Sequence, residues 1–424
     1  MKLFQQMLVA GASLSLLAPI SAQASDLTDL EPSRLDSKTF TNGVSEDIAG
    51  LKALVKDLQS KIEELDSLEA RQNEFEAGSF SETTTLDGTA VFSLFAADYA
   101  LDTNTASEAL GAFYKYQLNL NTSFTGDDNL YVRLKAGNHT GNTVSKTYGT
   151  YLSSGSGGSD ALKVDKIWYT FPVGENNTVW VGPKIENYYM HGTTPSIYKP
   201  VTKQFTLGGN GEAYGASTNS GAGWAYKFDN GWALSSNFVS QNNTNGTGLW
   251  TKESPTSWAT QLGYTTNQWS ISGIVNNKYH GWNDEYYHST GHDPAAGANK
   301  NKTALGLRTW WRPIETGTLI PSVSLGFDTT NHSDSAAADN QTSAWFTGLT
   351  WQDSFQADDR IGIAFGQPTT NESETIDPFA FEMYYSFKVN DSVTMTPAYF
   401  SNTNRAGTVG DDVQGVVLET TFKF

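Results

Sequence analysis

From Thr83 to the last residue, the sequence repeats short runs in which apolar and polar residues alternate, and turn signals separate the runs. A period of two predicts β-strands that each have one apolar face. Sixteen runs can be counted, near 88–97, 111–124, 129–138, 161–172, 178–187, 220–228, 231–241, 256–265, 268–277, 302–312, 318–328, 342–352, 359–367, 378–388, 391–401 and 412–424.

The connections between these runs alternate in length. Tight turns with hairpin chemistry lie at 126–129, 174–177, 229–231, 265–268 and 390–392, and the links between them run from about ten to over thirty residues. A membrane strand tolerates no unpaired edge in lipid, so an even number of strands with short turns on one side is typical of a closed outer-membrane barrel. A secreted β-sandwich gives no reason to sort its connections in this way. The sequence therefore predicts an all-β protein, a 16-stranded antiparallel transmembrane β-barrel over residues 88–424.

Composition agrees with strands that face lipid on one side and water on the other. The chain has 12 Trp, 19 Tyr, 22 Phe and 39 Gly, but only 17% charged residues. No run of 18 apolar residues follows residue 24, so no membrane-spanning helix is predicted. The net charge of −18 argues against nucleic acid as a partner.

The last residues, VVLETTFKF, form an alternating run that ends the chain. Val416, Leu418, Thr420, Phe422 and Phe424 share one face, which predicts a closing strand with that face toward lipid. Phe424 would lie in the aromatic girdle at the periplasmic rim.

The residues before the barrel divide into four segments. Lys2, an apolar run and the small residues of Ala22-Gln23-Ala24 indicate a secretory signal peptide over 1–24. A short linker over 25–43 follows, then a coiled-coil helix over 44–75 and a second linker over 76–87. The coiled-coil core alternates spacings of three and four and consists of Ile48, Leu51, Val55, Leu58, Ile62 and Leu65. The alternative is a single amphipathic helix packed on the rest of the chain.

The linker QNEFEAGSFSETTTLDGTAVFSL at 72–94, together with the coiled coil and the strand pattern, resembles the cyanobacterial outer-membrane porins, which are related to the carbohydrate-selective porin family. The resemblance covers the mature chain and implies an outer-membrane protein in contact with lipid, with its N-terminal stalk in the periplasm. It also implies that the barrel-assembly machinery would read the terminal Phe422 and Phe424. We expect a homotrimer, although a coiled-coil core with β-branched residues at its first position and Leu at its second favours a dimer in isolation. Family members usually carry an S-layer-homology domain before the coiled coil. Here about twenty residues precede the coiled coil after residue 24, which leaves contact with peptidoglycan open.

A sixteen-strand barrel is wide enough for a water channel, so something must narrow it. The third long connection, residues 188–219, follows the fifth strand, and by resemblance to general porins it would fold inward. It carries Lys199, Lys203 and the carboxylate Glu212. The alternative is an exposed loop packed on its neighbours.

Strand alternation gives a separate prediction of residues that face the lumen. They are Tyr131, Arg133, Lys135, Lys184, Glu186, Arg308, Arg312 and Glu382. Because Lys and Arg dominate this set, we expect weak anion selectivity for a porin that passes ions and sugars by passive diffusion. The alternative for each charged residue is that it pairs with a lumen carboxylate and only supports the wall.

Other classes of protein have less support. The loop over 278–301 carries His280, His288 and His292 beside Asp284, Glu285 and Asp293, but without a fixed spacing, so we predict a solvated surface loop and no metal site. An enzyme needs a base within reach of a nucleophile, and all histidines fall in predicted loops, so no catalytic residue and no cofactor is predicted. They are His139, His191, His280, His288, His292 and His332. The remaining alternative is a mainly structural outer-membrane protein with a nearly closed channel, which would couple the membrane to the periplasmic layer.

Overall fold

The computed structural model describes most of the chain after residue 82 and a short stretch before it. The described residues are 52, 54–61, 83–101, 109–145, 149–209, 211–241, 248–251, 253–282, 284, 300–333, 340–371 and 374–424. The chain divides into two compact units, Met1–Glu76 and Ala77–Phe424.

In the first unit, residues 52 and 54–61 are helical. Val55 and Leu58, two of the predicted coiled-coil core residues, lie in this helix and are 52% and 50% exposed. The other four, Ile48, Leu51, Ile62 and Leu65, lie outside the described residues. None of the helices among the described residues has the length and apolar character needed to cross a membrane.

The second unit is a closed antiparallel barrel of sixteen strands, in which each strand pairs with its neighbours in the chain and β1 pairs with β16. The strands are β1 Thr84–Tyr99, β2 Gly111–Thr122, β3 Asn129–Gly137, β4 Lys163–Val173, β5 Asn177–Ile185, β6 Asn219–Lys227, β7 Trp232–Ser240, β8 Thr256–Thr265, β9 Trp269–Tyr279, β10 Lys302–Trp311, β11 Ser322–Asn331, β12 Gln341–Gln352, β13 Arg360–Asn371, β14 Phe379–Asn390, β15 Val393–Thr403 and β16 Val413–Lys423. Short 3-10 helices lie at Gly141–Thr143, Asn187–Met190, Lys203–Gly208 and Arg405–Gly407, and one helical turn, α1, at Gly211–Tyr214. The predicted sixteen-stranded barrel is confirmed.

Strand β10 illustrates how alternation builds the two faces of the wall. Its residues Ala304 and Arg308 point inward and are buried, whereas Leu305 and Leu307 between them point outward and are exposed. Successive side chains of a strand point to opposite faces, so one apolar row per strand covers the outside of the barrel. This apolar outer surface is what a barrel in lipid requires.

The links sort onto two rims. Links that follow even-numbered strands up to β14 run from 2 to 10 residues and form the turn rim, whereas the others run from 7 to 33 residues and form the loop rim. The last three links of the loop rim, 332–340, 372–378 and 404–412, are shorter than predicted. The reason is that β11, β13 and β15 continue two to four residues beyond the predicted ends.

The turn between β2 and β3 is held by the carboxylate of Asp128. It accepts hydrogen bonds from the backbone N–H groups of Phe124 and Thr125, at 2.9 and 2.8 Å, and from the hydroxyl groups of Ser123, Thr125 and Tyr169. The Tyr169 bond and the other donors favour the ionised form, so the pKa of Asp128 is lowered well below its usual range. A carboxylate held by this many donors fixes the register of the hairpin.

The C-terminal strand closes the barrel against β1. Phe424 exchanges two backbone hydrogen bonds with Gly88, at 2.7 and 3.1 Å, and a Cβ at Gly88 would overlap the Phe424 ring. The ring of Phe422 lies 5.1 Å from that of Phe92 on the outer face. An aromatic belt continues along the turn rim. Its ring pairs are Tyr226–Phe228 at 4.6 Å, Trp232–Tyr264 at 5.3 Å and Tyr264–Trp269 at 5.2 Å.

Two strands begin four residues away from the predicted position. Strand β1 begins at Thr84 rather than residue 88, because Thr84 to Asp87 already pair with β2, opposite Thr122 to Asn119. Residues 84–87 therefore belong to the barrel and not to the linker. Strand β11 begins at Ser322 rather than residue 318, after Pro321, which has no N–H for the ladder.

Candidate functional site

The interior of the barrel is occupied by the link between β5 and β6, residues 186–218, which we call loop L3. Its backbone and side chains contact the inner face of the wall from β7 to β14. Gly192 N–H donates to Ser235 Oγ on β7 at 3.1 Å, and Thr193 N–H donates to Gln261 Oε1 on β8 at 3.0 Å. Ile197 N–H donates to Ser324 Oγ on β11 at 3.2 Å. The loop therefore lies inside the barrel.

Glu382 on β14 binds the part of L3 that lies farthest around the wall from β7. Its carboxylate accepts hydrogen bonds from Tyr198 OH at 2.8 Å, from the N–H groups of Val201 and Thr202 at 3.1 and 2.7 Å, and from the Thr202 hydroxyl group. The side chain is fully buried. Glu382 points inward, as alternation predicts, but it is covered by L3 and binds the loop.

Arg308 on β10 holds the middle of L3. Its guanidinium group forms a two-bond ion pair with Asp328 on β11, at 2.9 and 2.7 Å, and donates to the carbonyl oxygen of Leu207 in L3 at 2.8 Å. It also lies over the Tyr214 ring at 5.0 Å. A planar guanidinium group can satisfy several acceptors at once. The positive charge of Arg308 is thus used inside the wall and does not line an open passage.

A third buried set joins L3 to β9 and β10. Glu212 in α1 pairs with Lys302 at 3.0 Å and with Lys278 at 3.7 Å, and Lys278 also pairs with Asp284 at 3.4 Å. Asp284 in turn accepts the Ser217 N–H at 2.7 Å. Buried charges of this kind require their partners, because desolvation of an unpaired charge is costly. Glu212 is therefore another attachment point of L3.

A second loop also enters the barrel. The link between β3 and β4, residues 138–162, which we call loop L2, forms a β-bridge to L3 between Leu152 and Thr202. Ser153 N–H donates to the Val201 carbonyl oxygen at 2.7 Å. Ser154 Oγ donates to Glu419 on β16 at 2.5 Å. Two loops that pair with each other thus occupy part of the barrel interior.

Burial of the inward side chains shows where space remains. On β7, β8, β9, β10 and β12, L3 covers the inner face, and representative inward residues are at most 2% exposed. They are Ser235, Gln261, Asn276, Arg308 and Phe346. On β2 and β3 the inward residues Lys115, Gln117, Arg133 and Lys135 are only half-buried. The remaining open space therefore lies between L3 and the wall of β2 and β3.

This space is a cavity of about 470 Å³. Its lining includes Lys115, Arg133 and Lys135 from the wall and Lys199 and Lys203 from L3. Arg133 and Lys135 both pair with Asp165 on β4, Lys135 at 2.9 Å. Loop L3 thus places its two lysines opposite the basic residues of the wall.

The two loop lysines have different surroundings. Burial between the loops lowers the pKa of Lys203 to about 8, Glu186 opposes that effect, and Lys135 and Arg133 add to it. The Lys203 ammonium group also lies over the Tyr151 ring at 4.6 Å. The positive charge of Arg360, then burial, then Lys423, lowers the pKa of Lys199.

Several residues of the predicted lumen set line the passage or lie beside it. The ring of Tyr131 packs at a tilt against that of Trp168 in the interior, with centroids 4.3 Å apart. Tyr131 lies closer to the turn rim than Arg133 and Lys135 do. Glu186 pairs with Lys166 and accepts a hydrogen bond from Thr218 at 2.6 Å. Arg312 lies one residue past the end of β10, at the turn rim, where it donates to the Asn267 carbonyl oxygen at 2.6 Å.

Lys184 departs from the prediction because β5 contains a bulge. The register shifts between Gly182 and Ile185, and Ile185 is fully buried in the interior. Lys184 is exposed on the outer face, opposite Ile167, and donates to the Val164 carbonyl oxygen at 2.8 Å. One extra residue reverses the alternation, and the Gly182-Pro183 pair, which is typical of a bulge within a strand, is the sequence signal that marks it.

Some functional residues were missed. Lys115 could have been found, because Leu118 and Leu120 face outward on β2 and alternation then turns Lys115 and Gln117 inward. The entry of loop L2 into the barrel could not, because its contacts with L3 and β16 join distant parts of the chain.

His191 and Asp284, which belong to the residues considered above as possible bases or metal ligands, make structural contacts. His191 is half-buried, its Nε2 donates to the Tyr214 carbonyl oxygen at 3.1 Å, and partial removal from solvent lowers its pKa to about 4. Asp284 is held by Lys278 and Ser217 as given above, and His288, His292, Glu285 and Asp293 lie outside the described residues. The described residues contain no group of three or more side chains that could hold a metal ion.

Comparisons with known proteins agree with this architecture. An uncharacterized protein of Nostoc sp. is 26% identical over 89% of this chain and 72% of its own length, and one of Synechocystis sp. is 24% identical over 89% and 76%. Among solved structures, Pseudomonas putida OprB covers 85% of this chain and 97% of its own, with a TM-score of 0.58 and 12% identity. An anion-selective porin from Comamonas acidovorans covers 81% and 99%, with a TM-score of 0.51 and 8% identity. A family model described as carbohydrate-selective porin, OprB family, matches residues 56–424.

Proposed function

The chain belongs to the OprB family of carbohydrate-selective porins, and on this premise we propose that it lets small hydrophilic solutes diffuse through the outer membrane with a preference for anions. A porin is a channel and not an enzyme, and its barrel lies in the outer membrane. The observation that supports the anion preference is the cavity between L3 and the wall of β2 and β3, which five basic side chains line.

The preference follows from where the charges lie. A net charge of −18 spread over the whole chain acts weakly on a solute, because exposed charges are screened within about 8 Å at physiological ionic strength. Charges that line a narrow passage act on every ion that enters it, and basic rings favour anions. The buried pairs of Arg308 with Asp328 and of Glu212 with Lys302 contribute little to this effect, since each is neutral as a pair.

Neutral sugars are the other solutes that we propose. The family description names carbohydrates, and the passage carries hydroxyl and amide groups beside its charges, among them Gln117, Ser153, Ser196 and Tyr188. Such groups can replace the hydrogen bonds of a sugar to water. Liposome swelling with glucose and larger sugars tests this part.

We further propose that the first unit is a periplasmic coiled coil that joins three chains. The half-exposed Val55 and Leu58 lie three residues apart on one helix, and such apolar pairs pack against the same rows of another helix. The preceding residues 1–24 would be removed as a signal peptide, and lipid and the barrel-assembly machinery would be the partners of the barrel. Crosslinking of the purified protein tests the number of chains.

The test of the main proposal is single-channel recording of the refolded protein in a planar bilayer. Discrete conductance steps and an anion-favouring reversal potential in a salt gradient are expected. A folded barrel that shows no conductance would favour a structural protein whose channel L2 and L3 close.

A further inference from the structure

The charged residues that line the cavity beside loop L3 are all basic. Its lining residues are Lys115, Gln117, Arg133, Lys135, Ser153, Gly155, Tyr188, Thr194, Pro195, Ser196, Tyr198, Lys199, Pro200, Lys203, Thr206 and Leu207. Among these described residues there is no Asp or Glu. Lysine and arginine donate hydrogen bonds but accept none, so the charged groups of this lining are matched by a solute that is rich in acceptors.

Nearby carboxylates neutralise only part of this charge. Asp165 pairs with both Arg133 and Lys135, and Glu186 pairs with Lys166 behind the lining. In the described part of the chain, no ion pair involves Lys115 or Lys199. Glu419 lies close enough to Lys115 for their charges to interact and offsets part of the Lys115 charge, while its carboxylate also accepts the Ser154 hydroxyl group. The cavity therefore keeps an excess of positive charge.

The basic residues of β2 and β3 form a row along one wall of the cavity. Lys115 lies opposite Gly137 on β3, and Lys135 and Arg133 follow on the same face at steps of two residues. Same-face residues on a strand are separated by about 6.6 Å. Beyond them, the charge of Lys199 interacts with those of Arg360, the first residue of β13, and Lys423, the last residue of β16, both at the turn rim. Positive charges thus continue from the constriction to the exit.

We propose that this wall binds compact oxyanions with two negative charges, of the inorganic phosphate type, and passes them along the basic residues toward the turn rim. The inference rests on the proposed channel function and adds the preferred solute class. A dianion gains twice the Coulomb attraction of chloride at the same distance, and its oxygens accept several ammonium donors at once. The cavity has a volume of only about 470 Å³. The basic groups in it are less well solvated than in bulk water, which strengthens both effects.

The test is inhibition of chloride current by inorganic phosphate at pH 7.5, recorded from the full-length protein in a planar bilayer. Phosphate should reduce the current with a saturable dependence on its concentration. Lys115→Gln and Lys199→Gln should each raise the half-inhibiting concentration about tenfold, the effect of losing one hydrogen bond between charged groups. Lys184→Gln is the matched control, since Lys184 lies on the outer face, and it should leave inhibition unchanged.

Equilibrium titration of the detergent-solubilised protein with phosphate gives a second measurement that needs no current. Variants are compared only when they keep the heat-modifiable mobility of a folded barrel. Chloride conductance without saturable phosphate inhibition, or inhibition by glucose and not by phosphate, would overturn the inference while the channel function stands. Absence of any conductance together with absence of phosphate binding would overturn both.

Discussion

At the scale of single residues, buried charges hold L3 in place, and half-buried or exposed charges face the cavity. Glu382 accepts several hydrogen bonds from L3, whereas the charge of Arg308 is met by Asp328 on the wall and Arg308 donates one hydrogen bond to L3. Lys115, Lys199 and Lys203 line the cavity. Neutralising a residue of the first group should change the size and steadiness of the channel, and neutralising one of the second group should change its selectivity.

Glu382→Gln tests the first group. A glutamine amide group keeps one acceptor oxygen but places an NH₂ donor against the N–H group of either Val201 or Thr202, because these two donate to different oxygens of Glu382. Leaving a buried donor unsatisfied costs about 1–3 kcal/mol, so L3 should detach about 10-fold or more often than in the parent. Single-channel records should show frequent larger steps. Glu175→Gln, in the exposed turn between β4 and β5, should not; steps identical to those of the parent in Glu382→Gln would contradict the anchoring account.

The pH dependence of selectivity tests whether the positive charge of Lys203, a residue of L3, contributes to the anion preference. Its pKa is lowered to about 8, so its positive charge is present below that pH and lost above it. Anion preference, measured as a reversal potential, should therefore fall between pH 7 and pH 9. Lys203→Gln should have a weaker preference at pH 7 and a smaller change with pH. A preference that rises with pH would be inconsistent with this assignment.

At the scale of elements, the strands could be predicted from alternation and the inward fold of L3 from the resemblance to general porins, whereas the contacts of the loops could not be predicted. Alternation in β3 and β10 depends only on neighbours in the sequence, and it correctly turned Arg133 and Arg308 inward. It failed at β5, where the bulge between Gly182 and Ile185 moved Lys184 outside. It also gave no information on which inward charges L3 covers, because the contact of Leu207 with Arg308 joins residues about a hundred positions apart.

Leu152→Ala tests the pairing of L2 with L3. Leu152 is fully buried in an interior cluster with Tyr198, Val201 and Phe205. Truncating a buried leucine costs about 2–5 kcal/mol. This loss falls on the loops and not on the barrel ladder, so conductance should rise while heat-modifiable mobility is kept. Leu162→Ala, at a 59% exposed position of the same loop, is the control. Unchanged conductance in Leu152→Ala would argue against a two-loop constriction.

Leu58→Asp tests the proposed coiled coil. A charge at a core position should break the contact between helices, and light scattering of the detergent-solubilised protein should report fewer chains per particle. Ser60→Asp, two residues away and off the apolar seam, should leave the number of chains unchanged. If particles of both variants contain as many chains as those of the parent protein, the helix does not hold the chains together.

At the scale of the whole molecule, the barrel is asymmetric. L3 packs against the wall from β7 to β14, whereas β2 and β3 border the passage. An acidic chain with a net charge of −18 thus encloses a basic path. The net charge of the chain and the charge of the lumen have opposite signs. If net charge decided selectivity, the channel would favour cations, whereas a basic path favours anions.

The most direct measurement is the reversal potential of single channels in a salt gradient, with the refolded protein in a planar bilayer of neutral lipid. The account predicts discrete steps and a reversal potential that favours anions, reduced in the double variant Lys115→Gln/Lys199→Gln. A reversal potential that favours cations would contradict it.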